Sequence, residues 1–271
     1  MTPIRVVCHQ LAPRLGDADD NRRLSETAIR SAATLCAHVV VLPELMQSGY
    51  AFNDLAEARA VSEPLDGPTL SLWRALAIEL GLIVVAGFCE RLSAGRVANS
   101  AALIEPDGRL TVYRKAHLWD REKLIFTAGT APPPVVETAV GRIGVVICYD
   151  LELPEWVRLA ALAGTDLLCA PVNWPDSPRP AAERPGEIVR VQANAAVNRM
   201  FIAACDRYGE ERGVNWVGGS VIVDADGYPL AGGVSQQQEQ RLVADLPLLQ
   251  ARNKHISEHN HVHLDRRPGL Y

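Results

Sequence analysis

The chain has 271 residues, of which 48% are hydrophobic and 6% aromatic, and it carries a formal net charge of −5 at pH 7. This length fits one large α/β domain, whose core must be built mostly from Val, Ile, Leu and Ala. The negative charge, together with the lack of a dense Lys/Arg stripe interleaved with aromatic residues, argues against a nucleic-acid partner.

Three further classes of protein are disfavoured. No run of about eighteen apolar residues is present, so a membrane-spanning helix is not expected. The first segment, MTPIRVVCHQLAP, has one basic residue and too short an apolar stretch for a signal peptide. Six irregularly spaced cysteines without a CxxC pair do not indicate a disulfide framework or a structural zinc site. We therefore expect a cytoplasmic protein without a membrane partner or a metal.

Short β-branched runs alternate with segments of helical period from the start of the chain. The first third predicts, in order, a strand at 4–11, a helix capped by Asp20 or Asn21, a strand at 38–42, a helix over Pro68–Leu80 and a strand at 82–89. Pro68 suits the first turn of its helix, and Gly81 suits the left-handed residue that ends it.

The middle and the end of the chain add hairpins to this alternation. Three turn signals, at 106–108, 141–142 and 226–227, each separate two runs of strand character. The runs that they separate are 100–104 and 110–114, 135–140 and 143–147, and the two arms of 220–230. The other predicted elements are helices at 154–163 and 187–199 and strands at 166–172, 200–205 and 241–245.

This order of elements predicts the fold class. Alternating helices and strands that are mixed with hairpins favour a mixed sheet over a purely parallel one. A sheet of roughly ten or more strands is expected to split into two packed sheets with helices outside. No long linker, low-complexity segment or internal repeat divides the chain, so we expect one domain over residues 1–271.

Three chemically reactive residues follow the ends of predicted strands. Glu44 follows the strand at 38–42, Lys115 follows the second arm of the first hairpin, and Cys148 follows the second arm of the next. Loops beyond strand ends form the crevice in which active sites of α/β proteins usually lie. A thiol becomes a strong nucleophile once its proton is removed, and Glu44 is suited to take that proton and return it to a leaving amine. Lys115 is expected to favour the thiolate and, with the backbone N–H of Tyr149, to stabilise an oxyanion.

Each of the three residues also has an ordinary structural interpretation. A cysteine at a strand end is commonly a small core residue. A glutamate after a strand is commonly solvated or placed at a helix start, and Lys115 beside Arg114 fits an exposed charged pair. Spacing alone therefore leaves both interpretations open.

The sequence around the three residues is more distinctive than their spacing. It reads Leu-Pro-Glu at 42–44, Tyr-Arg-Lys-Ala-His-Leu at 113–118, and Ile-Cys-Tyr-Asp followed by Pro-Glu within 144–155. These motifs resemble those of the nitrilase superfamily, or carbon–nitrogen hydrolases, which carry LPE, YRK-x-HL and G-x-x-ICYD-x-x-x-PE in this order and at these separations. Further similarity at 171–175, 219–222 and 265–268 extends the resemblance over nearly the whole chain.

The resemblance implies a fold, a chemistry and an assembly. The fold is a four-layer α-β-β-α sandwich of two mixed sheets with helices on the outer faces. The chemistry is that of a cysteine acyl-enzyme without a cofactor, with Cys148 as nucleophile, Glu44 as general base and Lys115 as electrostatic stabiliser. The assembly is a homodimer or higher homo-oligomer formed through outer helices, with a C-terminal extension at about 248–271 at the subunit interface.

A fourth catalytic candidate comes from the same resemblance. Many members of the family have a second glutamate shortly after the lysine, and Glu122 matches that position best. Its expected task is to orient Lys115 or the amine of the substrate. The alternative is that Glu122 belongs to a solvated charge cluster at 120–123.

Five residues that flank the motifs are expected to form the substrate pocket: Tyr50, Trp119, Tyr149, Asn173 and Trp174. Pockets combine aromatic surface with a few polar groups, although the tryptophans would equally suit a cover over the ends of the sandwich. Arg179 or Arg184 would be suited to bind a substrate carboxylate, as arginines do in carbamoylase-like relatives, but spacing does not decide this.

Histidines add two weaker signals. His117 lies two residues beyond Lys115 and is expected to make a structural hydrogen bond rather than to act as the base. His255 and His259 have the i,i+4 spacing of a helical metal site, but the HExxH glutamate is missing, so we expect no metal there.

We therefore expect a hydrolase of the amidase or carbamoylase branch, which cleaves a non-peptide carbon–nitrogen bond of a small amide or N-carbamoyl compound and releases ammonia or an amine. A nitrilase that converts a nitrile to a carboxylic acid and ammonia would use the same residues. A catalytically silent binding protein on the same scaffold would be expected to lose one of the three reactive residues, and all three are present. The sequence leaves the acyl group, the amine and the stereochemical preference open.

Overall fold

Two six-stranded sheets pack face to face in the structure, a computed structural model that describes residues 2–270. Helices α1 (Ala18–Thr34) and α3 (Pro68–Leu80) pack on the outer face of the first sheet, and α5 (Pro154–Leu162) and α6 (Gly186–Asn198) pack on the second. The four-layer sandwich of two mixed sheets that the sequence predicts is therefore confirmed.

The described residues form fourteen strands: β1 (Ile4–Gln10), β2 (Val39–Val41), β3 (Ile83–Arg91), β4 (Val97–Ile104), β5 (Leu110–Arg114), β6 (Val135–Thr138), β7 (Gly141–Val145), β8 (Leu167–Pro171), β9 (Phe201–Cys205), β10 (Glu210–Glu211), β11 (Val214–Asn215), β12 (Val221–Val223), β13 (Pro229–Gly232) and β14 (Gln240–Leu246). They form six α-helices: α1 (Ala18–Thr34), α2 (Leu55–Val61), α3 (Pro68–Leu80), α4 (Glu122–Ile125), α5 (Pro154–Leu162) and α6 (Gly186–Asn198). Short 3-10 helices lie at Ser93–Gly95, Cys148–Glu152, Leu248–Arg252 and Pro268–Leu270.

Both large sheets have a parallel centre and antiparallel edges. The first sheet has the order β14-β1-β2-β3-β4-β5, in which β1, β2 and β3 are parallel. The second has the order β13-β12-β9-β8-β7-β6, in which β7, β8 and β9 are parallel. Strands β1 and β14, from opposite ends of the chain, are paired along residues 4–10. Strands β10 and β11 form a separate two-stranded ribbon.

Alternate residues of the central strands face different layers. In β1, Val6 and Cys8 belong to the apolar cluster that joins the two sheets, whereas Val7 packs with residues of α1 and α3. In β2, Val40 likewise faces the helices. Because successive side chains point to opposite faces of a strand, a strand buried on both faces reads as a continuous apolar run. This explains why the core strands of both sheets are rich in Val, Ile and Ala.

Helix α3 matches its prediction, and α1 begins earlier than predicted. Helix α3 begins at Pro68 and is ended by Gly81, whose φ of 66° is left-handed. Helix α1 is capped by Asp17, whose side chain accepts the N–H of Asp20 at 3.0 Å. The cap predicted at Asp20 or Asn21 was therefore wrong. Asn21 is instead buried inside the first turns of the helix, where its amide donates to backbone carbonyls of the preceding loop and the Glu44 region. No helix among residues 2–270 is long and apolar enough to cross a lipid bilayer.

Other boundaries differ from the sequence prediction at turns and short elements. Strand β6 ends at Thr138 and pairs there with Gly141, so this hairpin turns at 139–140 rather than at 141–142. Strand β7 ends two residues before the predicted limit, because the chain turns toward the 3-10 helix that begins at Cys148. Helices α2 and α4 and the β10–β11 ribbon were not predicted, since elements of two to seven residues carry too few periodic positions to be recognised.

Candidate active site

The ends of strands from both sheets meet at one edge of the sandwich. In the first sheet, Glu44 follows β2 by three residues and Lys115 directly follows β5. In the second sheet, Cys148 follows β7 and Asn173 follows β8. The two groups of loops are in contact, since the Asn173 Nδ2 donates to the backbone oxygen of Glu44 at 2.9 Å. The sandwich thus brings residues from four distant stretches of sequence to one place.

Glu44 lies in a tight turn that presses against β3. The residue after it, Leu45, has a left-handed φ of 47°. A Cβ on Gly87 of β3 would lie 2.3 Å from the backbone nitrogen of Leu45 and 2.6 Å from the Cα of Glu44. Only glycine permits so close an approach of two backbones. A glycine in the middle of a strand therefore sets the position of Glu44, a requirement that the sequence prediction missed.

Lys115 is buried between two carboxylates. Its Nζ donates to Glu44 Oε1 at 2.7 Å and lies 2.9 Å and 2.8 Å from the two carboxylate oxygens of Glu122. The side chains of Lys115 and Glu44 are completely buried, and that of Glu122 is 3% exposed. Glu122 therefore does not belong to a solvated charge cluster; its neighbours at 120, 121 and 123 are exposed, while its own carboxylate turns inward to the lysine.

Asn99 of β4 connects the two carboxylates and was not predicted. Its Nδ2 donates to Glu44 Oε1 at 2.7 Å and to Glu122 Oε1 at 3.1 Å. Its backbone oxygen also accepts the N–H of Lys115 at 2.9 Å. The available signal was an amide side chain at the start of an apolar strand, opposite the predicted lysine across the first hairpin.

Cys148 occupies a backbone conformation that is uncommon for a side-chain-bearing residue. Its φ is 45°, and it begins the 3-10 helix after β7. Such left-handed residues are found at functional sites more often than elsewhere. The Sγ lies 3.6 Å from the backbone oxygen of Asn173, the residue whose amide is bonded to the Glu44 backbone. The thiol of Cys148 is thus linked through Asn173 to the backbone of Glu44, across the contact between the two sheets.

Asp150, two residues after Cys148, ties the cysteine loop to the lysine loop. One carboxylate oxygen accepts the Tyr113 hydroxyl at 2.7 Å and the backbone N–H of Ile147 at 3.1 Å. The other oxygen is 2.7 Å from His117 Nδ1 and accepts the backbone N–H of His117 at 3.1 Å. The structural hydrogen bond predicted for His117 is therefore present, and its partner is the fully buried Asp150.

Burial governs the proton affinities of the reactive groups. Burial raises the pKa of Glu44 to about 7, although the ammonium of Lys115 opposes this. Burial lowers the pKa of Lys115, but the charges of Glu122 and Glu44 outweigh it and raise that pKa well above its usual value. Burial and the charge of Glu44 raise the pKa of Cys148 well above normal. The charge of Lys115 lowers the pKa of Cys148, as expected, but burial and the charge of Glu44 outweigh this effect. The site therefore combines a thiol with a carboxyl group that ionises close to neutral pH.

Comparison with known proteins bears directly on this arrangement. A family model described as carbon–nitrogen hydrolase matches residues 5–255. The chain belongs to the carbon–nitrogen hydrolase family. The resemblance read from the three sequence motifs is thereby confirmed.

Individual relatives agree with this assignment. A nitrilase from Pyrococcus abyssi is 32% identical over 271 residues, which cover 99% of each chain. An (R)-stereoselective amidase from a Pseudomonas species is 35% identical over 245 residues, which cover 88% of this chain and 83% of the relative. A solved mutant structure of the amidase from Nesterenkonia sp. AN1 has a TM-score of 0.80 at 26% identity, covers 99% of this chain and 95% of that one, and shows covalent addition of the acetamide moiety of fluoroacetamide at its active-site cysteine. The chain is thus a cysteine-dependent carbon–nitrogen hydrolase.

A cavity of about 380 Å³ opens beside Glu122 in this carbon–nitrogen hydrolase. Five of its fourteen lining residues are aromatic: Tyr50, Phe52, Trp119, Phe126 and Trp216. Tyr50 and Trp119 were predicted pocket residues and line this cavity. Tyr149, a third predicted residue, packs edge-on against Trp119 with ring centroids 4.9 Å apart.

The other two predicted pocket residues lie outside the walls of this cavity. Asn173 is fully buried, with its amide on the Glu44 backbone and its backbone oxygen toward Cys148. Trp174 is 4% exposed and packs in the apolar cluster that joins the two sheets. Trp216, which follows β11 and was not predicted, lines the cavity where Trp174 was expected to do so. The difference arises because the backbone N–H of Trp174 is held by the buried Asp206 at 3.0 Å, directly after a core strand.

The arginines and histidines singled out in the sequence lie elsewhere. Arg179 pairs with Asp176 at 2.6 Å beside a separate surface cavity, and Arg184 bonds Gln192, so neither lines the cavity next to Glu122. The segment that contains His255 and His259 is not helical. Among residues 2–270, no group of three or more His, Cys, Asp or Glu side chains is arranged to hold a metal ion.

Proposed function

We propose that this carbon–nitrogen hydrolase cleaves small amides through an acyl-enzyme intermediate on Cys148. The observation that carries the proposal is the buried ion-pair cluster of Lys115 with Glu44 and Glu122. Cys148 lies at the same edge of the sandwich, where its Sγ contacts Asn173, the residue bonded to the Glu44 backbone. Attack by a protonated thiol requires a base to take its proton and a positive charge to stabilise the oxyanion. Glu44, with a pKa of about 7, and the buried Lys115 provide these two groups.

In the first half-reaction, the Cys148 Sγ attacks the amide carbonyl carbon while its proton moves to Glu44. Oε2 of Glu44 suits this task, because it has no hydrogen-bond partner within residues 2–270, whereas Oε1 is held by Lys115 and Asn99. The negative charge that develops on the carbonyl oxygen is stabilised by the Lys115 ammonium and by the N–H of Tyr149, in the first turn of the 3-10 helix. The C–N bond then breaks, and Glu44 returns the proton to the departing ammonia or amine.

In the second half-reaction, water hydrolyses the thioester. Glu44, ionised again, takes a proton from the water as its oxygen attacks the acyl carbon. The second oxyanion is stabilised by the same groups as the first, and its collapse expels the sulfur, which recovers the proton from Glu44. Glu122 holds the Nζ of Lys115 in place through both steps, and its carboxylate borders the cavity, where it can also orient the amine of the substrate.

The relatives and the cavity support an amide substrate. The Pseudomonas relative is an amidase by name, and the Nesterenkonia amidase reacts with an amide reagent at its active-site cysteine. A volume of about 380 Å³ is near the lower end of small-molecule pockets, and the aromatic walls suit an apolar acyl group. We therefore propose short aliphatic or aromatic amides, including N-carbamoyl compounds, as substrates.

A nitrile is the second candidate substrate, favoured by the Pyrococcus relative, which is named a nitrilase and matches over the full length. The Cys148 thiol would add to the nitrile carbon to give a thioimidate. Two water molecules would then yield the carboxylic acid and ammonia. The same four residues would serve, so the substrate has to be distinguished by experiment.

Ammonia release from a matched substrate set tests the proposal. The set comprises butyramide, phenylacetamide, N-carbamoyl-alanine and butyronitrile, with the Cys148→Ala variant as control. We expect release from at least one amide or carbamoyl compound, and an acyl adduct on the peptide that contains Cys148 after acid quenching and mass spectrometry. Turnover of butyronitrile alone would replace the amidase proposal by the nitrilase one. Equal release by Cys148→Ala would contradict both.

We also propose that the chain forms a homodimer through the outer helices of the second sheet. Helices α5 and α6 leave four apolar side chains 40–50% exposed: Leu159, Leu162, Val189 and Val197. The C-terminal segment lies beside them, because the Nζ of Lys254 donates to the backbone oxygens of Asn198 and Arg199 at the end of α6. Light scattering is expected to give a dimer for the full chain and a monomer for a chain that ends at Lys254. A dimer mass for both would contradict the role of the tail.

A further inference from the structure

Glu211 of the β10–β11 ribbon is a buried carboxylate that takes no part in the reaction described above. It is 7% exposed. Its Oε1 accepts the backbone N–H groups of Tyr50 and Ala51, at 2.8 Å and 2.6 Å. Its Oε2 accepts Nη1 of Arg207 at 2.9 Å. One side chain thus carries the hydrogen bonds of two consecutive backbone amides in the segment that lines the cavity.

Arg207 holds the carboxylate of Glu211 in place through an ion pair. It is 2% exposed, and its Nη2 donates to the backbone oxygen of Pro13 at 2.9 Å. Its guanidinium also lies 4.8 Å from the ring centroid of Trp216, an aromatic residue of the cavity wall. Burial lowers the pKa of Arg207, an effect that the charge of Glu211 opposes. The pair is therefore a rigid, dry support rather than a surface ion pair.

The backbone of residues 49–51, which Glu211 binds, is closely confined by neighbouring atoms. Gly49 has a φ of 75°, and a Cβ there would lie 2.5 Å from the Cα of Leu15 and 2.9 Å from Oε2 of Glu211. The backbone of 49–51 is therefore held between the N-terminal loop on one side and the carboxylate on the other.

This segment carries the side chain that connects the cavity to the reactive groups. The Tyr50 ring packs edge-on against Trp216, with centroids 5.3 Å apart. Tyr50 and Glu122 line the same cavity, and burial together with the charges of Glu122, Glu44 and Cys148 raises the pKa of Tyr50 well above its usual value. A shift of the backbone at Tyr50 would move this ring relative to the bound amide.

We propose that Glu211, fixed by Arg207, is a positioning residue that holds the Tyr50–Ala51 backbone and thereby the cavity wall against which the substrate lies. The inference rests on the proposed amide hydrolysis. A carboxylate is required because both oxygens act as acceptors, one for two backbone amides and one for the guanidinium. A glutamine at this position would have to direct its NH₂ group at one of these donors.

Replacing the pair in two ways separates positioning from mere stability. In Glu211→Gln, the backbone acceptor or the Arg207 acceptor is lost. In Arg207→Met/Glu211→Met, both charges are removed together, a change that often restores the stability of a buried pair. The control is Glu79→Gln, which breaks an exposed ion pair with Arg30 on the outer helices.

Two readouts are measured at a temperature at which each variant is folded by circular dichroism. The first is kcat and KM for butyramide. The second is the rate at which iodoacetamide alkylates Cys148, relative to the exposed Cys36 of the same chain. Because alkylation needs no turnover, it tests the positioning role even if the wild-type protein does not hydrolyse amides.

We expect kcat/KM to fall at least tenfold in Glu211→Gln and in the double variant, mainly through KM. The Cys148/Cys36 alkylation ratio is expected to fall by a similar factor. In the double variant these losses are expected to persist while the Tm returns toward that of the wild type, and Glu79→Gln is expected to stay within twofold. A double variant that recovers both Tm and the two rates would overturn the proposal, as would a Glu211→Gln variant within twofold of the wild type in both readouts.

Discussion

Two buried glutamates, Glu211 and Glu44, differ in how many of their carboxylate oxygens form hydrogen bonds. Glu211 uses both oxygens, which accept the N–H groups of Tyr50 and Ala51 and the guanidinium of Arg207. Glu44 uses only Oε1, and its Oε2 has no partner in the part of the chain that the structure describes. A carboxylate with a free oxygen can accept a proton without breaking a hydrogen bond, whereas a saturated one cannot. The difference favours Glu44 for the proposed proton transfer and Glu211 for the proposed positioning role.

The largest difference between the two glutamates is expected from Glu44→Gln. The variant keeps an acceptor for Lys115 but cannot take a proton, so kcat for the best amide is expected to fall by about 10³-fold. The Tm is expected to stay level or to rise, because a neutral amide is easier to bury than a carboxylate and Lys115 keeps Glu122 as its partner. Steady-state kinetics and thermal unfolding check this, and Glu211→Gln is the matched control. A kcat for Glu44→Gln within tenfold of the wild-type value would contradict the assignment of proton transfer to Glu44.

The pH dependence of the wild type gives the next effect in size. The pKa of Glu44 is raised to about 7 in the folded protein, so kcat/KM is expected to fall about tenfold for each pH unit below 7. Stability has the opposite sign. A raised folded-state pKa means that the contribution of Glu44 is fully present below the unfolded value of 4.5 and is lost as the pH rises through about 7. Activity and the contribution of Glu44 to the unfolding free energy are thus expected to change in opposite directions, and a flat activity profile from pH 5 to 8 would count against Glu44 as the base.

The smallest expected effect is that of Asn99 on the pKa of Glu44. Its hydrogen bond lowers the pKa of Glu44, against the dominant effect of burial. We therefore expect Asn99→Ala to move the midpoint of the kcat/KM profile upward by about one unit, which corresponds to a tenfold loss at pH 6 and little loss at pH 9. Ser100→Ala is the control, because the next side chain of β4 bonds Glu90 instead. An unchanged midpoint in Asn99→Ala would show that the amide does not tune the base.

Much of the fold could be predicted because its signals are local. The apolar runs of β1 and β2 reflect burial on both faces, and Pro68 and Gly81 bound α3 by their backbone preferences. The turn at 139–140 could not be predicted in the same way, because the glycine that marks it pairs with Thr138 inside the hairpin. Register between two strands depends on partners that a local pattern does not contain.

The site divides along the same line. Glu44, Lys115 and Cys148 stand in short motifs, which identify them without knowledge of their partners. Asn99 and Glu211 carry no such motif, and their importance follows from what the folded chain places beside them. Glu122 is intermediate, because its position was recognised by resemblance while the direction of its carboxylate was decided only by burial against Lys115.

The account depends most on the sulfur of Cys148 as the attacking atom, and the turnover of Cys148→Ala tests this directly. With the fold verified by circular dichroism, we predict that ammonia release falls below about a thousandth of the wild-type rate, while Cys36→Ala, which changes an exposed thiol, retains full activity. A folded Cys148→Ala variant that retains more than that fraction would contradict the covalent mechanism.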